Sequence, residues 1–194
     1  MTRSRQTADW GSRAGLAKIV PSSVAVGSGT GSATALGTVS FSGASSVSLN
    51  NIFSSTYQNY RIILTLTAKS VTDELWMRLR SSGTDSTGTN YNLAGYYAGT
   101  PGVGNGSLST QTKWTFYGIN SAAAGRNIFP IDMANPFLAQ ETTGSCSTAS
   151  QGTTGFYWQG LGFLHDAGTS YDGLTFLSQT GTFAGDISVY GYTK

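Results

Sequence analysis

The stretch Tyr60-Arg61-Ile62-Ile63-Leu64-Thr65-Leu66-Thr67 decides the fold. Successive side chains of an extended strand point to opposite faces, so Ile62, Leu64 and Leu66 share one face and Arg61, Ile63, Thr65 and Thr67 the other. Ile63 on the more polar side implies that even this face is partly covered. Leu75 to Arg80 repeats the device, with Leu75, Met77 and Leu79 facing inward and Trp76, Arg78 and Arg80 outward. Lys69 to Glu74 reads as the connecting turn.

The same period continues on both sides. Val39 and Phe41 in one run and Val47 and Leu49 in the next, separated by Ser/Gly/Ala turn chemistry, predict a β-hairpin. Further strands are expected at Tyr91 to Tyr97, Lys113 to Ile119, Asn127 to Met133, Gly155 to Leu164, Leu174 to Leu177 and Asp186 to Tyr192. No amphipathic helix separates them, which disfavours a parallel α/β fold, and no internal repeat points to a solenoid or propeller. About eight to ten short strands broken by Gly, Ser, Thr or Pro predict an all-β chain. The fold class is an antiparallel β-sandwich or jelly roll, preceded by an extended or short-helical N-terminal arm.

The 194 residues suit one compact domain with an appendage. Residues 1–37 read as an N-terminal attachment arm and flexible linker, and 38–194 as the β-sandwich head. Trp10, Ala14 and Ala17 lie near helical spacing, but Gly11 and Gly15 weaken a helix, Pro21 stops it, and Ser22 to Gly37 has linker composition. Arg3, Arg5, Arg13 and Lys18 against Asp9 place a net +3 in the first twenty residues; the whole chain carries +2, which leaves −1 for the rest. By charge, the head is not expected to bind nucleic acid. No run approaches the length needed to span a bilayer, so membrane insertion is not expected. Met1 to Trp10 lacks the apolar core of a secretion signal, and synthesis in the cytoplasm is expected.

Candidate chemistry is sparse. Cys146 is the single cysteine, which excludes an internal disulfide and makes a reactive thiol the lesser reading. His165 is the single histidine and reads as a solvent-facing residue at a strand end; no nucleophile elbow or Cys-His signal accompanies it. The acidic residues show no metal-ligand spacing, and no cofactor motif is present. A glycosidase pair would have to be assembled from distant residues such as Asp132, Asp166 and Asp172. Gly102 to Ser107 lacks the Lys-Ser/Thr ending of a phosphate-binding loop and reads as a mobile surface loop. No enzymatic activity, metal or cofactor is therefore expected.

Aromatic residues carry more information. Tyr96, Tyr97, Trp114, Tyr117, Tyr157 and Trp158 lie in or beside alternating segments, so those that escape the core would supply subunit contacts or stacking faces for sugars. Tyr96, Tyr97, Trp114, Tyr117 and Trp158 are the candidates for either role. Trp114 and Phe116 share one face, opposite Thr115 and Tyr117; burial of both pairs would imply an oligomer. Trp10 sits in a segment without a local core, and docking on a partner would cover it, together with Arg13, Leu16, Ile19 and Val20.

Residues 39–62 (VSFSGASSVSLNNIFSSTYQNYRI), 75–85 (LWMRLRSSGTD) and the closing 189–192 (VYGY) resemble small virion structural proteins of tailed bacteriophages of the cyanobacterial and marine type. Such proteins are described as tail fibre, head fibre or minor structural proteins. The resemblance covers mainly residues 38 to 97 and the last seven, and its motifs are structural. It implies localisation in the virion, an arm that docks on other virion proteins of tail or capsid, and a head that forms a homo-oligomer, a trimer first. A tail-associated fibre or adaptor is the leading expectation. A capsid decoration or head-fibre protein, a receptor-binding head for a host-surface glycan, and a depolymerase are the alternatives.

Overall fold

The computed structural model describes residues 15–99, 102–119, 127–152 and 155–193. Sixteen strands and no helix occur among the described residues. In chain order they are β1 (Leu16–Ile19), β2 (Ser23–Val26), β3 (Thr30–Ala33), β4 (Thr38–Ala44), β5 (Ser46–Asn50), β6 (Asn59–Lys69), β7 (Asp73–Ser81) and β8 (Thr84–Asp85). There follow β9 (Tyr91–Gly99), β10 (Gly102–Gln111), β11 (Trp114–Ile119), β12 (Asn127–Ala134), β13 (Thr142–Gly152), β14 (Gly155–His165), β15 (Gly173–Ser178) and β16 (Phe183–Tyr192).

They form two antiparallel sheets. The wide sheet has the order β10-β9-β14-β13-β12-β6-β16-β4-β3, with β1 pairing the C-terminal half of β16; the narrow sheet runs β11-β7-β15-β5-β2, with β8 on β7. The fold is thus all-β and sandwich-like, as alternation predicts. On β6, Tyr60, Ile62, Leu64 and Leu66 are buried, while Arg61, Ile63 and Thr65 are half-buried. Leu75, Met77 and Leu79 of β7 face them from the narrow sheet. Edge-on ring contacts join the layers, Phe116 of β11 meeting Phe129 of β12 at 5.5 Å and Phe163 of β14 at 5.8 Å. Each such fully buried ring or aliphatic side chain contributes about 1.5–3 kcal/mol by leaving water.

Polar pins fix the two layers. The Tyr91 hydroxyl on β9 donates to the Ser86 carbonyl at 2.9 Å and accepts the Leu79 N–H of the narrow sheet at 3.0 Å. Burial pushes this phenol up to about 12. The Gln159 amide on β14 donates to the Tyr117 carbonyl of β11 at 2.7 Å, which satisfies a buried side chain.

Several expectations need correction. The runs around Phe41 and Val47 are not a hairpin: β4 pairs β16 and β3 in the wide sheet, whereas β5 pairs β15 and β2 in the narrow one. The strand continues to Ala44, with Gly43 at φ 63° in the register shift between the Phe41–Gly185 and Ala44–Phe183 pairs, and the chain passes to the other layer between Ala44 and Ser46. Lys69 to Glu74 likewise connects the layers, since β6 and β7 lie in different sheets. The flexible linker expected up to residue 37 is replaced by β1, β2 and β3, which pair with β16, β5 and β4. Ile19, Val24 and Val26 alternate inward and pack on the core. Ser, Gly and Ala dilute that alternation in the sequence, so composition hid it.

Candidate functional site

At one end of the wide sheet, β10, β9, β14 and β13 lie side by side. Their outward side chains are ordered by register into rungs that cross all four strands. Asn105 pairs with Tyr96, Tyr96 with Gly160 and Gly160 with Ser147; the next rung is Ser107, Ala94, Gly162 and Ser145. Together they enclose a shallow open groove of about 950 Å³.

Glycine shapes this surface. A Cβ at Gly160 would stand 3.1 Å from the ring of Tyr96, so the bare backbone lets that ring lie across the neighbouring strand. Tyr96 stays 54% exposed, and Trp158 meets it edge-on with centroids 5.1 Å apart and planes at 60°. Gly162 leaves the groove floor open: a Cβ there would find only the Ala94 carbonyl oxygen, at 3.8 Å. Asn105, Ser107, Ser145 and Ser147 are all exposed. None of the groove's lining residues carries a formal charge.

A second cleft of about 490 Å³ lies between the inner face of these strands and β11 and meets the groove around the β10 edge at Tyr96, Asn105 and Ser107. Tyr97 and Leu108 line it from the wide sheet, and Tyr117 from the narrow one. The Tyr97 ring lies against Gly104, its cross-strand partner. Burial, and then the charge of Glu74, raise the Tyr117 phenol above its ordinary value.

Among the aromatic candidates, the structure brings Tyr96 and Trp158 together on the outer face, and Tyr97 and Tyr117 into the inner cleft. Trp114 is corrected from surface contact to core: it is fully buried, and its indole N–H donates to the Asn92 and Leu164 carbonyls at 3.1 and 3.2 Å. Thr115 is buried as well, whereas Tyr117 is partly exposed, so the two opposed pairs on β11 are not both covered. Tyr157 lies on β14.

His165 does not face solvent. It is fully buried between Tyr91, Trp114 and Tyr171, with ring centroids at 4.4, 6.2 and 5.1 Å. Burial lowers its pKa, against the opposing pull of the Asp166 carboxylate. The aromatic cage thus favours the neutral imidazole over the imidazolium. Cys146, buried on β13, is an inert thiol: burial, and then the Asp132 charge, push it up to about 12.

The three carboxylates considered for glycoside cleavage have separate local partners. Asp132 accepts from the Tyr192 hydroxyl at 2.7 Å, Asp166 from the Asn92 amide at 3.1 Å and Asp172 from the Ser82 N–H at 2.9 Å. No group of three or more His, Cys, Asp or Glu side chains that could hold a metal occurs among the described residues. Comparison with known proteins brings no significant match to a protein-family model, a curated protein or a solved structure.

Of the docking residues, Trp10 and Arg13 lie outside the described residues. Ile19 is partly buried and packs against the head's own core, while Leu16, opposite Tyr192, is 47% exposed. The described chain begins beside its own C-terminal strand: the Gly15 N–H donates to the Thr193 hydroxyl at 2.7 Å, and the Thr193 N–H to the Gly15 carbonyl at 2.9 Å.

Sequence reasoning missed half of the groove. Gly102 to Ser107, expected as a mobile loop, is the first part of β10, and no strand was expected at β13. Period two does run through β13, where Thr142, Cys146 and Thr148 are buried while Ser145 and Ser147 are exposed. Its residues are too alike in size and polarity for hydropathy to reveal it.

Proposed function

We propose that this chain is a non-enzymatic structural protein of a bacteriophage particle, a tail-associated fibre or adaptor that presents the sandwich as its head. The strongest support is β10. It is a ten-residue edge strand with no charged residue and no proline, and Val103 on it is 81% exposed. Long edges with unpaired N–H and C=O groups invite pairing with another chain, and natural proteins shorten, charge or cover them. The edges at β2 and β3 are four residues long, a blunting that β10 lacks. Coverage by a second subunit in a homo-oligomer, a trimer first, meets this need.

The resemblance of residues 38 to 97 to phage virion proteins supplies the setting, and the net +3 of the first twenty residues suits an acidic docking surface. A capsid decoration or head-fibre role uses the same parts and differs only in the docking partner.

Light scattering on the purified full-length protein tests the assembly, with a mass of three chains expected. Val103→Lys, which sets a charge on the open edge, is expected to lower that mass to one chain while strand circular dichroism is retained. A monomeric parent protein would remove the support drawn from β10. Reconstruction of an intact particle, with residues 1–14 seated on a tail protein, tests the station; seating between capsid subunits would select the decoration role instead.

A further inference from the structure

We propose that the outer groove across β10, β9, β14 and β13 binds a neutral oligosaccharide, one pyranose ring stacking on Tyr96 with Trp158 as the adjoining wall. This goes beyond the particle role and does not rest on it, since the site is complete within one chain.

Four observations carry the proposal. First, the Tyr96 ring is held flat by its seat on Gly160 and by the edge contact with Trp158, yet remains more than half exposed. The face of an aromatic ring carries negative quadrupole charge, which attracts the weakly positive axial C–H groups of a pyranose. Second, Asn105, Ser107, Ser145 and Ser147 bring an amide and three hydroxyls to the two rungs beside that ring, and none of these side chains has a hydrogen-bond partner among the described residues. A few convergent polar groups around an apolar platform are what orients a hydroxyl-rich ligand.

Third, no formal charge lines the groove, so its complement is a neutral sugar and not a phosphate, sulfate or uronate. Fourth, the groove is open and crosses four strands; at about 4.7–4.9 Å per strand it extends some 14 Å, enough for a short run of sugar units. Pairing of β10 with another subunit would use its in-plane N–H and C=O groups and leave this face accessible.

The same feature separates binding from turnover. The groove offers no carboxylate or imidazole, and the one thiol beneath it is held protonated by burial. Cleavage of a glycosidic bond ordinarily needs two carboxyl groups flanking it. The ligand is held, not hydrolysed.

Saturation-transfer NMR and titration calorimetry on the full-length protein test the site, with maltotetraose, cellotetraose and chitotetraose as neutral probes and a sulfated oligosaccharide as the charged one. Binding of at least one neutral probe is expected, with no change in its chain length. Tyr96→Ala is expected to weaken it by about tenfold or more, the loss of a stacking contact worth roughly 1.4 kcal/mol. Gly162→Val gives an independent reading, because a Cβ there would enter the open floor at an ordinary 3.8 Å contact with the Ala94 carbonyl oxygen, and valine suits a strand. It should abolish binding while the melting temperature is kept. Leu36→Ser, at an exposed residue outside the groove, should change nothing. The proposal is overturned if no neutral probe binds, if only the sulfated probe binds, or if affinity survives both Tyr96→Ala and Gly162→Val in folded protein.

Discussion

The wide sheet contains two regions built from one backbone pattern and put to opposite uses. Around β12, β6 and β16, alternation of large apolar and polar residues is covered by the narrow sheet, and every inward side chain from Ile62 to Leu66 is buried. Across β10, β9 and β14, glycine stands at Gly104, Gly160 and Gly162, and Tyr96 and Tyr97 beside two of them remain exposed. In the first region a missing side chain would be a cavity; in the second it is the seat of a neighbouring ring.

The largest expected effect contrasts these regions directly. Phe129 is buried under Phe116, and Phe129→Ala should cost about 3–5 kcal/mol in denaturant unfolding. Tyr97→Ala, at a ring open to solvent, should cost less than about half of that figure. Equal losses would mean that the region of β10, β9 and β14 is packed as tightly as the core.

A smaller effect comes from His165, which couples β14 to both layers. Its folded pKa lies below the ordinary value because burial disfavours the imidazolium. As pH falls through about 6.5, the unfolded chain takes up the proton first, so stability present above that value is lost on acidification. Thermal melts between about pH 7 and pH 5 should show a drop of a few degrees, and His165→Phe should flatten that part of the profile. A parent profile already flat over this window would contradict a neutral buried imidazole.

The smallest effect belongs to the outer face of the covered region. Arg61 lies 3.8 Å from Asp132, and both side chains are more than a third exposed. Arg61→Ala should change unfolding free energy by no more than about 1 kcal/mol, less at high salt. A larger loss would show that this outward face is itself covered in the assembled protein.

Legibility in the sequence follows the same division. Strands β6, β7, β12 and β16 were readable because apolar residues at alternate positions, such as Ile62 and Leu64 or Ile187 and Val189, announce a buried face. β10 and β13 were not, since Gly, Ser, Thr and Asn do not alternate in hydropathy, and all of these but Thr favour turns over strands. Their extended form comes from hydrogen bonding to β9, β12 and β14. Tyr96 and Trp158 were legible as residues that could escape the core, but their meeting was not. Trp114 looked equivalent to them and proved fully buried, because β11 places it against Tyr91 and Phe163.

By itself, the amino-acid sequence determined the class of fold and the buried face of its most apolar strands, because alternation is a local property of two residues and their spacing. Only the tertiary structure decided that β4 and β5 part into different sheets, that His165 is caged, that residues from Leu16 onward belong to the head, and that Asn105, Tyr96, Gly160 and Ser147 form one rung. Each of these depends on hydrogen-bonded or packed partners distant in sequence, and a strand's own side chains do not name its neighbour.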